Sequence, residues 1–291
     1  MANVLHAPEV IPSGEAAGAE IAGVDVAAGL DDATFSVIET ALHDHGVVVL
    51  RRQTIRDEDH IAFTRRFGEI GSNTFAGYHA HPKFPNEMLV ISNIKVDGRY
   101  VGNPDAGHTW HTDQSYTPCP PRATILYAIE IPERDGKPLG DTLYANAAAA
   151  YDALPAAMKK RLEGLMAVHN IAARKRGGDA PKKVEGELAD KHPDVIHPVV
   201  RTHPFTGRKC LYVNTGECTG IVGMPDDEAL PLIEELFRQT VKPEFVYRHR
   251  WQAGDLIVWD NCMVQHLATK DYKPEDRRYL HRTIVLGTAP F

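Results

Sequence analysis

The sequence predicts a mainly β fold with flanking helices, organised as a sandwich or jelly roll rather than a parallel sheet. Short alternating or strongly apolar segments recur along the chain, most of them bounded by Gly, Pro, Asp or Asn. Helical periodicity is confined to a few stretches. At 291 residues, 43% hydrophobic and 24% charged, the chain has an ordinary globular composition. No internal repeat or low-complexity linker divides it, so residues 1–291 are read as a single domain.

AEIAGVDVA (19–27) alternates apolar and polar residues and reads as an edge strand. Asp31 or Asp32 can then cap a helix that runs to about His45, and GVVVLR (46–51) follows as a short buried strand. TIRDEDHIAFTRRFG (54–68) is a second amphipathic helix, with Phe63 and Phe67 on one face and Gly68 at its end. Further strands are expected at 87–94, 122–131, 140–146, 207–214, 244–251, 255–260 and 279–287. Helix formers dominate 147–165 and 226–240, which would brace the outside of the roll. The polar, locally basic stretch 172–194 is long for a loop in a compact domain, which suggests a lid or an insertion.

A formal net charge of −7 argues against general affinity for nucleic acid. The N-terminus lacks a secretory signal pattern, and no run approaches 18 apolar residues, so neither export nor a membrane span is expected. The four cysteines form no C-x-x-C pair, which suits a reducing cytoplasm. Surface helices leave room for a homodimer or tetramer, but no heptad pattern marks an interface.

The chemistry concentrates in TWHTDQSY (109–116). In H-x-D on a strand, alternate side chains face one way, so His111 and Asp113 would project together. His266, in VWDNCMVQHLATKDY (258–272), directly after an apolar strand and a polar turn, is the strongest third partner. Two histidines and one carboxylate make the facial triad of non-heme iron(II) oxygenases, with positions left open for a cosubstrate and dioxygen. A zinc hydrolase would more often carry H-E-x-x-H, which is absent. In DRRYLHRTIVLG (276–287), Arg278 and Arg282 are four apart and on a strand would present two guanidinium groups to one face.

His111-x-Asp113, GDTLYAN (140–146), His266 and RRYLHR, in that order, resemble the taurine dioxygenase/2,4-D dioxygenase family of iron(II)- and 2-oxoglutarate-dependent oxygenases. The similarity extends to HPVVRTHPFTGRKCLYVN (197–214) and WQAGDLIVWDN (251–261), nearly the whole chain. It implies a double-stranded β-helix (jelly roll), with Fe(II), 2-oxoglutarate and O2 at the site. His111, Asp113 and His266 would bind the iron, and Thr142 and Arg278 the distal carboxylate of 2-oxoglutarate. Arg282 would face the keto-acid end or an anionic group of the substrate. Trp259, Asp260 and Asn261 would fix the turn that presents His266.

The reaction so implied is oxidative decarboxylation to succinate and CO2 coupled to hydroxylation of an unactivated C–H bond. Asp113 occupies the position that halogenating relatives leave vacant, which favours hydroxylation. Members acting on taurine carry a histidine and a tyrosine where this sequence has Asn73 and Ala76, which argues against taurine itself. Asn73, Phe75, Tyr78, Tyr116, Glu217 and Arg282 are the candidate substrate contacts, and the expected substrate is a small anionic compound: a sulfonate, an aryloxy acid or another carboxylate. Two other readings compete: a zinc-dependent non-oxidative enzyme, and a noncatalytic ligand-binding barrel.

Overall fold

The computed structural model describes residues 7–72, 80–104, 106–171 and 193–291. Among them the fold is mainly β. A seven-stranded sheet runs in the order β1 (Glu9–Pro12), β2 (Ala19–Ala22), β3 (Val47–Leu50), β17 (Leu256–Asp260), β7 (Ala123–Glu130), β19 (Tyr279–Val285) and β4 (Leu89–Ser92). All its pairings are antiparallel except β2 with β3. A three-stranded sheet has the order β16 (Val246–His249), β10 (Thr142–Asn146) and β18 (Val264–Ala268). A second has the order β12 (Val195–Pro198), β11 (Met166–His169) and β15 (Cys218–Ile221). Hairpins pair β5 (Lys95–Val96) with β6 (Arg99–Tyr100), β8 (Glu133–Arg134) with β9 (Lys137–Pro138), and β13 (Val200–Thr202) with β14 (Lys209–Leu211).

Strand alternation decides what each face of the large sheet covers. Val48, Leu50, Ile125, Leu256 and Val258 point to helices α1 (Asp32–His45) and α2 (Asp57–Phe67), whose Ile38, Leu42, Phe63 and Phe67 complete one apolar cluster. The intervening residues Val47, Val49, Leu126, Ile257, Trp259 and Leu280 point the other way and join Tyr144, Tyr247 and Val264 of the β16-β10-β18 sheet in a second cluster. The candidate site draws His266 from β18 of the small sheet and Arg282 from β19 of the large one. The Asp31 carboxylate accepts from the Thr34 N–H at 2.7 Å to start α1, and Gly46, at φ 70, ends it where a Cβ would meet Val264 at 2.9 Å.

Several boundaries differ from the sequence expectation. The helix expected over 147–165 is two, α3 (Ala147–Asp152) and α4 (Ala156–Leu162), because Pro155 cannot continue the first and starts the second. The helix expected at 226–240 is continuous as α5 (Asp226–Thr240), despite Pro231 in its first half. The strand expected at 19–27 stops at Ala22, before Gly23 at φ 78. After the polar turn that follows β17, His266 lies within a further strand, β18. The stretch 172–194 falls outside the described residues except for its last two positions. No described helix is long and apolar enough to cross a membrane, and all four cysteines are free.

Candidate active site

His266 sits on β18 opposite Tyr144 of β10. On its other side it forms a single antiparallel bridge with His111, each backbone N–H donating to the other's carbonyl at 3.1 and 2.8 Å. The two imidazole centroids are therefore 4.1 Å apart. Beyond His111 the chain leaves the sheet. Asp113 opens a turn in which Gln114 has φ 51 and the Thr117 N–H donates to the Gln114 carbonyl at 2.9 Å. The H-x-D segment is thus a bridge residue followed by a turn, not the continuous strand expected, yet the two side chains converge.

Asp113 Oδ1 is 3.7 Å from His111 Nε2 and 3.9 Å from His266 Nε2, and all three residues are buried. Their donor atoms lie within 4.8 Å of one another. His111 Nδ1–H donates to the Thr109 carbonyl at 2.7 Å, which puts the ring's lone pair on Nε2, facing the other two groups. Nitrogen, nitrogen and carboxylate donors so arranged fit a divalent transition metal. A relay fixes the carboxylate: Trp259 Nε1–H donates to Asn261 Oδ1 at 3.0 Å, Asn261 Nδ2–H to Thr124 Oγ1 at 2.9 Å, and Thr124 Oγ1–H to Asp113 Oδ2 at 2.6 Å. That leaves Oδ1 as the oxygen turned to the histidines.

Arg282 Nη2 also reaches Asp113 Oδ1, at 2.8 Å. Burial alone would raise the Asp113 carboxyl, but the Arg282 guanidinium, His266 and His111 outweigh it and hold the group well below the usual carboxylate range. The carboxylate stays ionised and ready to ligate. Among the described residues a second cluster, Asp57, His81 and His281, is equally compact. Its protons are already committed. His81 Nδ1 accepts from the Lys83 and Phe84 N–H groups at 3.3 and 3.2 Å, so its Nε2 carries the proton and points at Asp57, 3.3 Å away.

Thr142 and Arg278 both pack on Trp251. Arg278 is only 5% exposed, and its Nη2–H donates to the Gly140 carbonyl at 3.3 Å, while its Nε has no hydrogen-bond partner among the described residues. The guanidinium carbon sits 5.9 Å from the Trp251 ring centroid and 5.8 Å from that of Tyr272. Gly140, at φ 76, makes room: a Cβ there would come within 3.1 Å of Tyr272 and 3.3 Å of Arg278 Nε. Trp251 Nε1–H donates to Thr142 Oγ1 at 3.0 Å, which leaves the threonine proton to be offered elsewhere. A buried cation with unfilled donor capacity is suited to hold a carboxylate.

The expected substrate contacts separate. Asn73, Phe75 and Tyr78 lie outside the described residues. Tyr116 is half-buried in the turn that follows Asp113. Glu217 is fully buried and accepts from Ser115 Oγ–H, while His169 Nδ1–H donates to Ser115 Oγ at 3.0 Å. Its carboxylate therefore anchors the turn that carries Asp113. Thr124 has no sequence signal at all: it is one polar position in an apolar strand, and only the fold brings it to Asp113.

A family model described as taurine catabolism dioxygenase TauD, TfdA family matches residues 9–284. The chain belongs to this family. It is 33% identical over 297 residues to pentalenolactone F synthase of Streptomyces arenae, covering 97% of this chain and 96% of that one. It is 34% identical over 284 residues to the alpha-ketoglutarate-dependent 2,4-dichlorophenoxyacetate dioxygenase of Cupriavidus pinatubonensis (94% and 95% covered). The crystal structure of a taurine dioxygenase from Burkholderia xenovorans matches with a TM-score of 0.79 at 32% identity, covering 98% of this chain and 91% of that one. As a TauD/TfdA-family member the protein is an oxidoreductase, a dioxygenase dependent on 2-oxoglutarate (alpha-ketoglutarate) and O2.

Proposed function

We propose that this dioxygenase uses iron(II) to hydroxylate a small anionic organic compound, a sulfonate, aryloxy acid or other carboxylate, and that residues 1–291 form one domain of double-stranded β-helix (jelly-roll) type. The face-to-face packing of the β16-β10-β18 sheet on the seven-stranded sheet supports the architecture. One observation carries the function: two histidines and a carboxylate converge, their donor atoms within 4.8 Å of one another, in a protein that also buries an arginine, Arg278, with no carboxylate partner among the described residues. A cytoplasmic location belongs to the same reading and is supported by the free thiols.

When bound, iron(II), 2-oxoglutarate and O2 together supply the oxidation of a C–H bond, with succinate and CO2 as coproducts. The protein supplies position. His111 and His266 offer their Nε2 atoms, and Asp113 offers Oδ1 because Thr124 engages Oδ2. Having a carboxylate in that place leaves no vacancy for a halide, which directs the outcome to hydroxylation. Arg278 and Thr142 hold the distal carboxylate of 2-oxoglutarate, and Arg282, already turned to the inner oxygen of Asp113, orients an anionic end nearby. Trp259, Tyr144 and Leu280 are at most 2% exposed and keep bulk water from the reacting centre.

The relatives are named for unlike compounds, a pentalenolactone, a chlorophenoxyacetate and taurine, so substrate choice rests on the anion-binding reading of Arg282. Succinate release measured against a panel of sulfonates, aryloxy acids and N-acyl amino acids tests it. At least one anionic member should raise succinate above the substrate-free rate. A rise with neutral analogues only, and with none of the acids, would contradict the proposal.

A further inference from the structure

The ring of Tyr144, opposite His266 in the sheet, helps to exclude water, but its hydroxyl has no assigned part in the site. Its ring belongs to a row that crosses the small sheet in register, Tyr247, Tyr144 and His266, with centroid separations of 6.2 and 6.0 Å, and it packs 5.7 Å from Trp259. The residue is 0% exposed, and its hydroxyl has no hydrogen-bond partner among the described residues. Phenylalanine would fill the same apolar space without burying an unmatched polar atom, so the hydroxyl needs a reason. Buried tyrosines ordinarily place the O–H against an acceptor.

The surroundings indicate which acceptor. Thr142 is two residues away on the same face of β10, and its hydroxyl is a polar neighbour of the phenol. Arg278 and Asp113 are the charged groups that act on the phenol. Burial pushes its acidity well above the usual tyrosine range, so the group stays a donor. An ionised carboxylate has about four lone-pair sites on two oxygens, more than one threonine and the free edge of one arginine satisfy.

We infer that Tyr144 is a binding residue for the cosubstrate: its hydroxyl donates a hydrogen bond to the distal carboxylate of 2-oxoglutarate, as a third donor beside Arg278 and Thr142. The inference rests on the reading of Arg278 and Thr142 as the carboxylate pocket. It also assigns Tyr144 a part in selecting a dicarboxylic keto acid over one with an apolar tail.

The test is equilibrium binding by calorimetry to the Mn(II)-loaded protein, which needs no turnover. Wild type and Tyr144→Phe are each titrated with 2-oxoglutarate and with 2-oxopentanoate, which has the same chain length and no distal carboxylate. The substitution should weaken 2-oxoglutarate binding by about 10- to 100-fold, the usual range for a hydrogen bond to a charged group. It should leave 2-oxopentanoate unchanged, and the melting temperature without keto acid should be no lower than wild type. Unchanged 2-oxoglutarate affinity in Tyr144→Phe, or an equal loss for both keto acids, would overturn the role of Tyr144 while leaving the pocket intact. A wild-type protein that binds the two keto acids equally would overturn the pocket itself, and Tyr144 with it.

Discussion

Replacing Arg278 with methionine separates binding from architecture, because the structure gives the two opposite signs. The guanidinium is buried, and among the described residues its Nε is unmatched and one 3.3 Å hydrogen bond to Gly140 with two ring faces near 6 Å is what it has in return. Exchanging a poorly compensated buried charge for an apolar side chain of similar length is commonly neutral or stabilising, by about 1–4 kcal/mol. Loss of the aromatic contacts subtracts about 1 kcal/mol. The expected net is about 0–3 kcal/mol in favour of the variant, a rise of up to about 6 °C in melting temperature for a chain of this size. Binding should move the other way. Removing the cation from a desolvated carboxylate pair costs about 2–5 kcal/mol, a loss of about 30-fold or more in affinity for 2-oxoglutarate. Thermal unfolding without keto acid, followed by calorimetric titration of the Mn(II)-loaded variant, reads both. A variant that melts more than about 10 °C lower yet binds 2-oxoglutarate like wild type would show that Arg278 is a structural arginine and refute the reasoning.

Alanine at His111, Asp113 or His266 should each abolish substrate-dependent succinate formation, and normal turnover in all three would sink the triad. Burial drives the imidazoles of His60 and His169 down to about 3 from an ordinary 6.5. Between those values the unfolded chain binds the protons and the folded one does not, so stability is complete above pH 6.5 and falls as the pH drops toward 3. Each group is expected to contribute up to about 5 kcal/mol to that loss, visible in urea unfolding as a function of pH, and a flat profile would contradict it. Glu217→Leu strands Ser115 and loosens the turn bearing Asp113, so it should cost about 1–3 kcal/mol of stability and weaken metal binding, with Glu217→Gln intermediate. Equal metal affinity in wild type and Glu217→Leu would count against the anchoring role.

Much of this site could be read from the residues alone, where chemistry and period act locally. The strand expected at 279–287 forms as β19 and carries Arg282, with Arg278 just before its first residue, although the register with β7 shifts between Tyr279 and Leu280. The metal donors were legible as residue types, but their geometry was not: a left-handed Gln114 takes Asp113 off the strand, and nothing near TWHTDQSY announces it. The strand that carries His266 is not among those the pattern predicts, because Asp260 to Cys262 break the apolar run. The turn there is tight, and the chain pairs again at Val264. Thr124 and Tyr144 escaped notice for a common reason. A single polar atom on an apolar strand acquires meaning only from what the opposite sheet or a distant turn brings to it, and for Thr124 that turn is eleven residues away. Glu217 was visible as an unusual charge, but its partner Ser115 is 102 residues distant, so an inward anchor and a substrate contact looked alike.

The most direct test of the central claim is an anaerobic visible absorption titration of the metal-free protein with iron(II) and then 2-oxoglutarate. Convergence of His111, Asp113 and His266 predicts a metal-to-keto-acid charge-transfer band that saturates at one equivalent of each, and that is lost in Asp113→Ala. No band, in a protein that retains zinc through purification, would contradict the account and assign the three residues to another metal.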